Sequence, residues 1–203
     1  KTNWETCPKC QKRLRDEGLK NEHELQSYFI KRIEKFVLSK NKKLVGWDEI
    51  LEGGLAPSAT VMSWRGMKGG IESAKAGHDV IMCPISHCYF DYYQASPETS
   101  PEAIGGSTTL KKVYSFNPIP EELTDEESKF VLGAQGNLWT EYVQTPDRAQ
   151  YRVLPRMTAL SEVLWSGPGK SSYDDFYGRL THLEKRFDVL DWTHAPGSFA
   201  VSI

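Results

Sequence analysis

Short apolar segments recur along the chain and are separated by polar connections. Four of them predict strands, with the sequences KLVGW, TVMSW, VIMCPI and FVLGAQGNLW (43–47, 60–64, 80–85 and 130–139). They are apolar throughout rather than alternating, which is typical of parallel strands that are buried on both faces. The pattern therefore predicts an α/β fold with right-handed crossovers. Four strands are compatible with a small doubly wound sheet or with half of an eight-stranded barrel.

Helical periodicity marks the segments between these strands. Asn21 and Glu24 have the spacing of a capping box, and apolar residues follow them at helical spacing: Leu25, Phe29, Ile33, Phe36 and Val37. A short helix is predicted at 69–76, ended by Gly77. A small helix, TLKKVYSF, is predicted within the long connection before the fourth strand. Connections of that length more often have a functional role than serve only to join two elements.

Two helices are predicted after the fourth strand. Thr145 caps the first, with Pro146 at its first position. Pro155 predicts a kink or a restart within it. The last helix is predicted to begin near Ser172 and to bury one face, formed by Phe176, Leu180, Leu183 and Phe187.

Composition narrows the classes of protein to which the chain can belong. It has 203 residues, of which 39% are hydrophobic and 26% charged, and its formal net charge is −2. These values suit a soluble globular domain. Lys and Arg are scattered, so no nucleic-acid partner is indicated, and no apolar run is long enough to cross a membrane. The chain opens with KTNWETCPKC and without an initiating Met, so we expect it to be part of a longer protein.

Cysteine spacing leaves a metal-binding alternative open. Cys7 and Cys10 form a C-x-x-C motif, but a zinc site of this type usually needs a second pair of similar spacing. Cys83 and Cys88 are far away in the sequence. A loop thiol pair, reduced or bridged, is therefore the main interpretation. A small zinc-dependent interaction module is the alternative, and no metal or cofactor is otherwise predicted.

Aromatic residues mark the ends of the predicted strands. Trp47, Trp64 and Trp139 end three of them, and the remaining strand runs into Tyr89 and Asp91. Ligands of parallel α/β folds bind at the carboxyl ends of the strands, so we expect these rings to line a pocket. The alternative is that each tryptophan fills space in an ordinary core.

Carboxylates accompany two of these rings. Asp91 comes two residues after Tyr89, and Glu141 two residues after Trp139, so each pair points the same way along an extended segment. Rings that cover apolar faces, together with carboxylates that accept hydrogen bonds from hydroxyls, describe a sugar-binding site. Carboxylates at strand ends also act as loop caps, so Asp91 by itself does not distinguish the two roles.

Five motifs resemble, in the same order, those of the family 20 glycoside hydrolases, the β-N-acetylhexosaminidases: GWDEI, VMSWRG, YFDYYQ, GAQGNLWTEY and YRVLPRMTALSEVLWS. The resemblance implies that residues 1–203 are the C-terminal half, about strands five to eight, of a (β/α)8 TIM barrel. They would begin just after the catalytic Asp-Glu motif. The catalytic pair of the family belongs to an H-x-G-G-D-E motif, which this chain lacks. We therefore expect the adjacent Asp48 and Glu49 to support a loop rather than to catalyse.

The resemblance also implies roles for the aromatic residues. Trp47, Trp64 and Trp139 would surround the acetamido group of the substrate. The hydroxyl of Tyr89 would donate a hydrogen bond to the acetamido oxygen and would orient that oxygen for attack.

Roles for the two carboxylates and a mechanism follow from the same resemblance. Asp91 and Glu141 would bind the outer sugar hydroxyls, near O4 and O6. Catalysis in the family is substrate-assisted: the acetamido oxygen attacks the anomeric carbon while a Glu protonates the leaving oxygen and an Asp orients the acetamido group. Those two acids would lie outside the chain, so we expect the chain by itself to be inactive.

The implied partners are glycans that end in N-acetylglucosamine or N-acetylgalactosamine. Nucleic acid, cofactors and metals are not implied, and the implied location is secreted, periplasmic or surface-associated. Half of a barrel has open sheet edges, so we expect either a homo-oligomer or the missing N-terminal half to cover them. A non-catalytic carbohydrate-binding module or an inactive homologue is the alternative function.

Overall fold

The computed structural model describes residues 1–196 of the chain. The chain forms two compact units. The first contains Lys1–Met82 and Glu121–Leu132, and the second contains Cys83–Pro120 and the described residues from Gly133 to Pro196.

Strands and helices alternate in the first part of the chain, and the last part is helical. In chain order, the strands are β1 (Val45–Trp47), β2 (Thr60–Ser63), β3 (Val80–Met82) and β4 (Val131–Ala134). The helices are α1 (Thr2–Glu5), α2 (Pro8–Asp16), α3 (Glu22–Leu38), α4 (Lys68–Lys75), α5 (Ile85–Cys88), α6 (Leu110–Tyr114), α7 (Asp125–Ser128), α8 (Pro146–Val153), α9 (Arg156–Ser166) and α10 (Tyr173–Val189). A 3₁₀ turn, Asp48–Leu51, follows β1 directly.

The strands of the described chain form one sheet in the order β1-β2-β3-β4. β1 pairs with β2, and β2 with β3, in parallel, with Trp47 opposite Met62 and Val61 opposite Val80. Val61, Val80 and Met82 of the middle strands are fully buried, as expected for strands of a parallel sheet. The predicted parallel α/β pattern is therefore confirmed. The prediction of burial on both faces is wrong for β1 and β4, where Val45 and Leu132 are exposed.

One predicted strand end differs from the structure. Trp47 closes β1 and Trp64 follows β2 directly, but β4 ends at Ala134, well before Trp139. Gly133, within β4, has a φ of 138°, which only glycine adopts without strain, and the strand ends one residue later. Trp139 is therefore carried by the segment beyond β4.

Side-chain caps begin the helices where the sequence predicts them. The Asn21 side chain accepts hydrogen bonds from the first turn of α3, but the Glu24 carboxylate accepts from the backbone N–H of Lys20, so only half of the predicted capping box forms. Thr145 caps α8 and Ser172 caps α10 with their hydroxyls. The predicted helix starts are confirmed at all three places.

Most of the apolar face predicted for α3 is exposed within the first unit. The exposed side chains are Phe29 (57%), Ile33 (36%) and Phe36 (61%). The helix is held by Ile30, which packs against a buried apolar cluster that includes Ile50, and by the buried Glu34 carboxylate, which accepts a hydrogen bond of 2.7 Å from the backbone N–H of Ser58. Helical spacing predicted the helix correctly, but it did not predict which face is buried.

The C-x-x-C motif lies at the start of a helix and not in a loop, so the prediction of a loop thiol pair is wrong in its placement. Cys7 is the N-cap of α2 and Pro8 occupies its first turn, where a missing N–H costs nothing. Both Cys7 and Cys10 are free thiols. The backbone N–H of Cys10 is the main cause of a lowered pKa at Cys7, and the contact between the two side chains raises the pKa of Cys10.

The second unit is built around α9 and α10. The Leu154–Pro155 peptide bond is cis, and α9 begins at Arg156, which confirms the predicted restart. α10 buries Phe176, Leu180 and Phe187 as predicted, whereas Leu183 is only partly buried.

Candidate functional site

In the first unit, Trp47 and Trp64 lie at the carboxyl ends of adjacent parallel strands. Trp47 closes β1 opposite Met62, and Trp64 comes just after Met62 along the chain. Both tryptophans are partly buried. Gly46 permits the chain to turn here, because a Cβ at that position would lie 2.8 Å from the side chain of Ile50. The 3₁₀ turn can therefore fold back against β1.

Asp48, the first acid of the GWDEI motif, holds the backbone that carries Trp64. Its carboxylate is buried, and Oδ2 accepts hydrogen bonds from the backbone N–H groups of Trp64 and Arg65, each 3.1 Å. Oδ1 accepts a hydrogen bond of 2.6 Å from Nε of Arg65. Asp48 therefore ties the end of β1 to the end of β2, which is the supporting part expected of it.

Glu49, the second acid, contacts the tryptophan ring itself. Its Oε2 accepts a hydrogen bond of 2.9 Å from Nε1 of Trp64. The two adjacent carboxylates therefore bind one tryptophan at two different places, Asp48 at the backbone and Glu49 at the indole.

Arg65 extends this contact into a charged network on the same unit. Its Nη1 donates to Oε1 of Glu52 at 3.0 Å, and Glu52 also pairs with Lys1 and His23. The Lys1 ammonium and then the Arg65 guanidinium lower the pKa of Glu52 to about 2. Arg65 thus forms structural ion pairs with Asp48 and Glu52.

In the second unit, Tyr89 and Trp139 are brought together by backbone pairing. Phe90 donates its N–H to the carbonyl of Asn137 at 2.7 Å, and Asn137 donates its own N–H to the carbonyl of Cys88 at 2.6 Å. The Tyr89 side chain is buried and its hydroxyl is hydrogen-bonded to the Trp139 side chain. Because an indole is only a donor, the phenol oxygen is the acceptor in this contact. Burial raises the pKa of Tyr89 to about 12, so the phenol is protonated at neutral pH.

Asp91 is a buried carboxylate with an unsatisfied oxygen. Only 6% of the residue is exposed, and no donor from the described part of the chain makes a hydrogen bond to Oδ1. Burial raises the pKa of Asp91, and the nearby negative charge of Glu141 adds to the increase. The positive charges of Arg156 and Arg152 act in the opposite direction. Glu141 itself is exposed, and Trp139 is 42% exposed.

Arg156 fixes the backbone around Asp91 and was not among the residues that the sequence singled out. Its guanidinium is fully buried. It donates hydrogen bonds to the carbonyl oxygens of Phe90 (2.5 Å), Tyr92 (3.1 Å) and Thr108 (2.9 Å). Phe90 and Tyr92 are the two neighbours of Asp91, so one side chain holds the backbone on both sides of the carboxylate.

The signal that could have found Arg156 is its position in the sequence. Arg152 and Arg156 fall within the apolar helical pattern of the YRVLPRMTALSEVLWS motif. Arginine is rarely fully buried unless it is paired, so two arginines at such positions indicate bonded partners elsewhere in the fold. Arg152 does behave in this way, since it donates to the carbonyls of Pro101 and Glu102.

His87, two residues before Tyr89, has structural surroundings. His87 stacks on Phe116 with ring centroids 5.2 Å apart, and burial lowers the pKa of His87.

Within residues 1–196, no group of three His, Cys, Asp or Glu side chains is arranged to hold a metal ion. In that same part of the chain, no helix combines the length and the apolar character that a membrane crossing requires.

Rings and carboxylates at and beyond the ends of parallel strands are typical of α/β barrel enzymes that act on small polar ligands. Residues 1–168 match the family model described as glycosyl hydrolase family 20, catalytic domain. The chain therefore belongs to family 20 of the glycoside hydrolases, and the resemblance found in the sequence is confirmed.

Several characterised proteins are similar to this chain over most of its length. A beta-hexosaminidase of Porphyromonas gingivalis is 53% identical over 190 residues, which are 93% of this chain and 24% of that protein. The human beta-hexosaminidase subunit beta is 27% identical over 184 residues, which are 88% of this chain and 31% of that protein. The chain thus spans only about a quarter to a third of the length of these relatives.

Solved structures of the family share the fold. A family 20 exo-β-N-acetylglucosaminidase from Vibrio harveyi, solved in complex with N-acetylglucosamine, has a TM-score of 0.85 and 26% sequence identity to this chain, over 96% of this chain and 31% of that one. A chitobiase from Flavobacterium johnsoniae has a TM-score of 0.78 and 29% identity, over 97% and 29% respectively. The chain is part of a (β/α)8 barrel, and the predicted fold class is confirmed.

Proposed function

We propose that the protein containing this chain is a retaining β-N-acetylhexosaminidase, which removes terminal N-acetylglucosamine or N-acetylgalactosamine from glycans. The observation that carries the proposal is the unsatisfied Oδ1 of the buried Asp91. A buried carboxylate oxygen is unfavourable unless a donor reaches it. A sugar hydroxyl is such a donor, and the similar Vibrio harveyi enzyme was solved with N-acetylglucosamine.

Tyr89 and Trp139 would recognise the acetamido group. The indole N–H donates to the phenol oxygen, so the phenol can use its own hydrogen to bind an acetamido oxygen. A phenol is protonated at neutral pH, so that hydrogen is available for the contact. Trp139 is partly exposed and can present a ring face to the ligand.

Trp47, Trp64 and Glu141 would complete recognition of the sugar. Trp47 and Trp64 stand at neighbouring strand ends, where parallel barrels bind their ligands. Their rings would cover apolar faces of the substrate around the acetamido methyl. Glu141 lies close enough to Asp91 to raise its pKa, and this proximity supports a role for Glu141 as a second acceptor for sugar hydroxyls.

Catalysis would be substrate-assisted. The acetamido oxygen attacks the anomeric carbon to form an oxazolinium ion, and the bond to the leaving oxygen breaks as a general acid protonates that oxygen. We propose that this acid and the Asp beside it belong to the protein outside these 203 residues, because Asp48 and Glu49 are both engaged with Trp64. The chain by itself would then bind sugar poorly and hydrolyse nothing.

Hydrolysis by the full-length protein and its Asp91→Asn variant tests the proposal. The substrate is p-nitrophenyl N-acetyl-β-glucosaminide, and the control is Asp147→Asn, an exposed carboxylate on α8 of the same unit. We expect Asp91→Asn to lower kcat/KM by about 10- to 100-fold, the loss typical of a hydrogen bond to a charged group. Asp147→Asn should leave kcat/KM unchanged.

Two other outcomes would contradict the proposal in different ways. If the full-length protein bound N-acetylglucosamine in calorimetry but released no nitrophenol, a carbohydrate-binding module or inactive homologue would be the better assignment. If Asp91→Asn had full activity, Asp91 would be a loop cap rather than a ligand-binding residue.

A further inference from the structure

We infer that Glu49 is a positioning residue for the ring of Trp64, so that its carboxylate fixes the orientation in which this indole meets the substrate. The inference rests on the proposed function, because it assumes that Trp64 faces the sugar. It assigns separate tasks to two neighbouring acids that look, in the sequence, like a catalytic pair.

Trp64 is held at two independent points. Asp48 fixes the backbone through the N–H of Trp64, with Oδ2 to N at 3.1 Å. Glu49 fixes the far end of the side chain through Oε2 to Nε1 at 2.9 Å. A tryptophan side chain has only two rotatable bonds. Restraints at its backbone and at its ring nitrogen therefore leave little freedom of rotation about either bond.

Glu49 is itself presented by a restrained backbone. Gln26 of α3 donates from Nε2 to the carbonyl oxygen of Glu49 at 2.6 Å. The same carbonyl accepts a hydrogen bond of 3.1 Å from the N–H of Glu52. The 3₁₀ turn also begins directly at the end of β1, so the carboxylate is tied to the sheet that carries Trp64.

The division of tasks distinguishes Glu49 from Asp48. Asp48 is buried and bonds two backbone N–H groups and a guanidinium, so its removal leaves several donors without an acceptor. Glu49 is only partly buried and contributes a single side-chain contact to Trp64. Loss of Glu49 should therefore leave the fold intact and release only the ring, whereas loss of Asp48 should destabilise the fold.

Misplacing a substrate-facing ring affects the rate more than it affects binding. The ring helps to confine the acetamido group, whose oxygen must reach the anomeric carbon, and small errors in such positions are costly. In the full-length protein, we expect Glu49→Ala to lower kcat/KM for p-nitrophenyl N-acetyl-β-glucosaminide about tenfold, mainly through kcat. Glu49→Gln keeps an oxygen acceptor and should recover most of that loss. Glu72→Ala, an exposed carboxylate on α4 that pairs with Lys68, is the control and should behave as wild type.

A double-mutant cycle separates positioning from general stability. Trp64→Phe removes the indole N–H, so Glu49→Ala should add no further loss in that background if it acts through Trp64. If the loss of kcat/KM in the double variant equalled the product of the losses in the two single variants, Glu49 would act independently of Trp64 and the inference would be wrong. It would also be wrong if Glu49→Ala lowered the melting temperature as much as Asp48→Asn.

A spectroscopic readout keeps this inference distinct from the proposed function. In protein labelled with 5-fluorotryptophan, the ¹⁹F resonance of Trp64 is identified by its absence in Trp64→Phe. We expect that resonance to move in Glu49→Ala and to stay near its wild-type position in Glu49→Gln and Glu72→Ala. An unmoved resonance in Glu49→Ala would overturn the link between Glu49 and Trp64 even in an active enzyme. If the full-length protein had no hydrolase activity, the proposed function would be contradicted. The ¹⁹F resonance of Trp64 would still test whether Glu49 positions the Trp64 ring.

Discussion

Arg156 holds Phe90 at both its backbone and its ring. Nη2 donates a hydrogen bond of 2.5 Å to the carbonyl oxygen of Phe90, and Cζ lies 4.9 Å from the centroid of the Phe90 ring. The same guanidinium donates to the carbonyl of Tyr92, so the residues on both sides of Asp91 are fixed by one side chain. The position of the Asp91 carboxylate therefore depends on Arg156, a residue of α9 that is distant in the sequence but in direct contact with the backbone on both sides of Asp91.

Arg156→Lys should destabilise the protein. Lysine cannot reproduce the planar fork that serves the carbonyls of Phe90, Tyr92 and Thr108, and buried carbonyls without donors are costly. We expect the free energy of unfolding to fall by about 2–4 kcal/mol, measured by urea denaturation. Arg15→Lys, at an exposed position on α2, is the control and should leave the urea midpoint unchanged. Equal midpoints for Arg156→Lys and wild type would show that the guanidinium fork is dispensable.

Asp91 should make stability depend on pH. Burial raises its pKa in the folded state, so the proton is bound more tightly there than in the unfolded chain. The stability tied to this proton is present in full below the unfolded pKa, about 3.9, and is lost as the pH rises through the higher folded pKa. We therefore expect Asp91→Asn to melt at a higher temperature than wild type at pH 7, and to lose that advantage below about pH 4.

Differential scanning calorimetry at the two pH values checks this expectation. A higher melting temperature for the less active variant would be the usual conflict between stability and function at a binding site. A lower melting temperature for Asp91→Asn at pH 7 would instead show that Asp91 stabilises the fold through its charge.

Tyr89→Phe should separate catalysis from binding. The phenol is proposed to orient an oxygen whose charge changes in the transition state, so its loss should lower kcat by about tenfold or more while KM changes less. Glu141→Gln is the comparison, since weaker contacts to the outer hydroxyls should raise KM as well. Steady-state kinetics of both variants test the distinction. An unchanged kcat in Tyr89→Phe would show that Tyr89 only lines the pocket and does not orient the acetamido oxygen.

The thiols of the two cysteine pairs should react at very different rates. Cys7 is partly exposed and has a lowered pKa, so more of it is thiolate, the reactive form. Cys83 and Cys88 are buried, and burial raises the pKa of Cys88. In the folded protein, a disulfide reagent such as DTNB should therefore react quickly with Cys7 and slowly with Cys83 and Cys88. Cys7→Ser should remove the fastest phase, and an unchanged fast phase would place it on another cysteine.

The strands could be predicted because a short run of neighbouring residues is enough to indicate each one. Their residues form continuous apolar runs bounded by turn residues. The runs do not show that only β2 and β3 are buried, since Val45 of β1 and Leu132 of β4 are exposed. α2 was missed for the converse reason, since it buries only Leu14 and has no apolar stripe. The buried face of α3 was missed because two of its buried residues, Ser27 and Glu34, are polar and form hydrogen bonds with Gly54 and Ser58, which apolar spacing does not reveal.

The candidate site was predictable only in part. Rings and carboxylates near strand ends can be read from their spacing, and the motifs identify the family. The partners of Arg156 cannot be read in this way, because the carbonyls of Phe90, Tyr92 and Thr108 are 48 to 66 residues away in the sequence. The contact between Glu49 and the Trp64 indole likewise depends on side-chain directions that spacing does not specify.

The most direct test of the proposed function is the hydrolysis of two matched substrates by the full-length protein, with the first-formed sugar observed by ¹H NMR. The substrates are p-nitrophenyl N-acetyl-β-glucosaminide and p-nitrophenyl β-glucoside, which lacks the acetamido group. Because the acetamido oxygen is the proposed nucleophile, we expect only the first substrate to be cleaved, with the β-anomer of N-acetylglucosamine appearing first. Comparable cleavage of the glucoside, or an α-anomer as the first product, would contradict substrate-assisted catalysis by this protein.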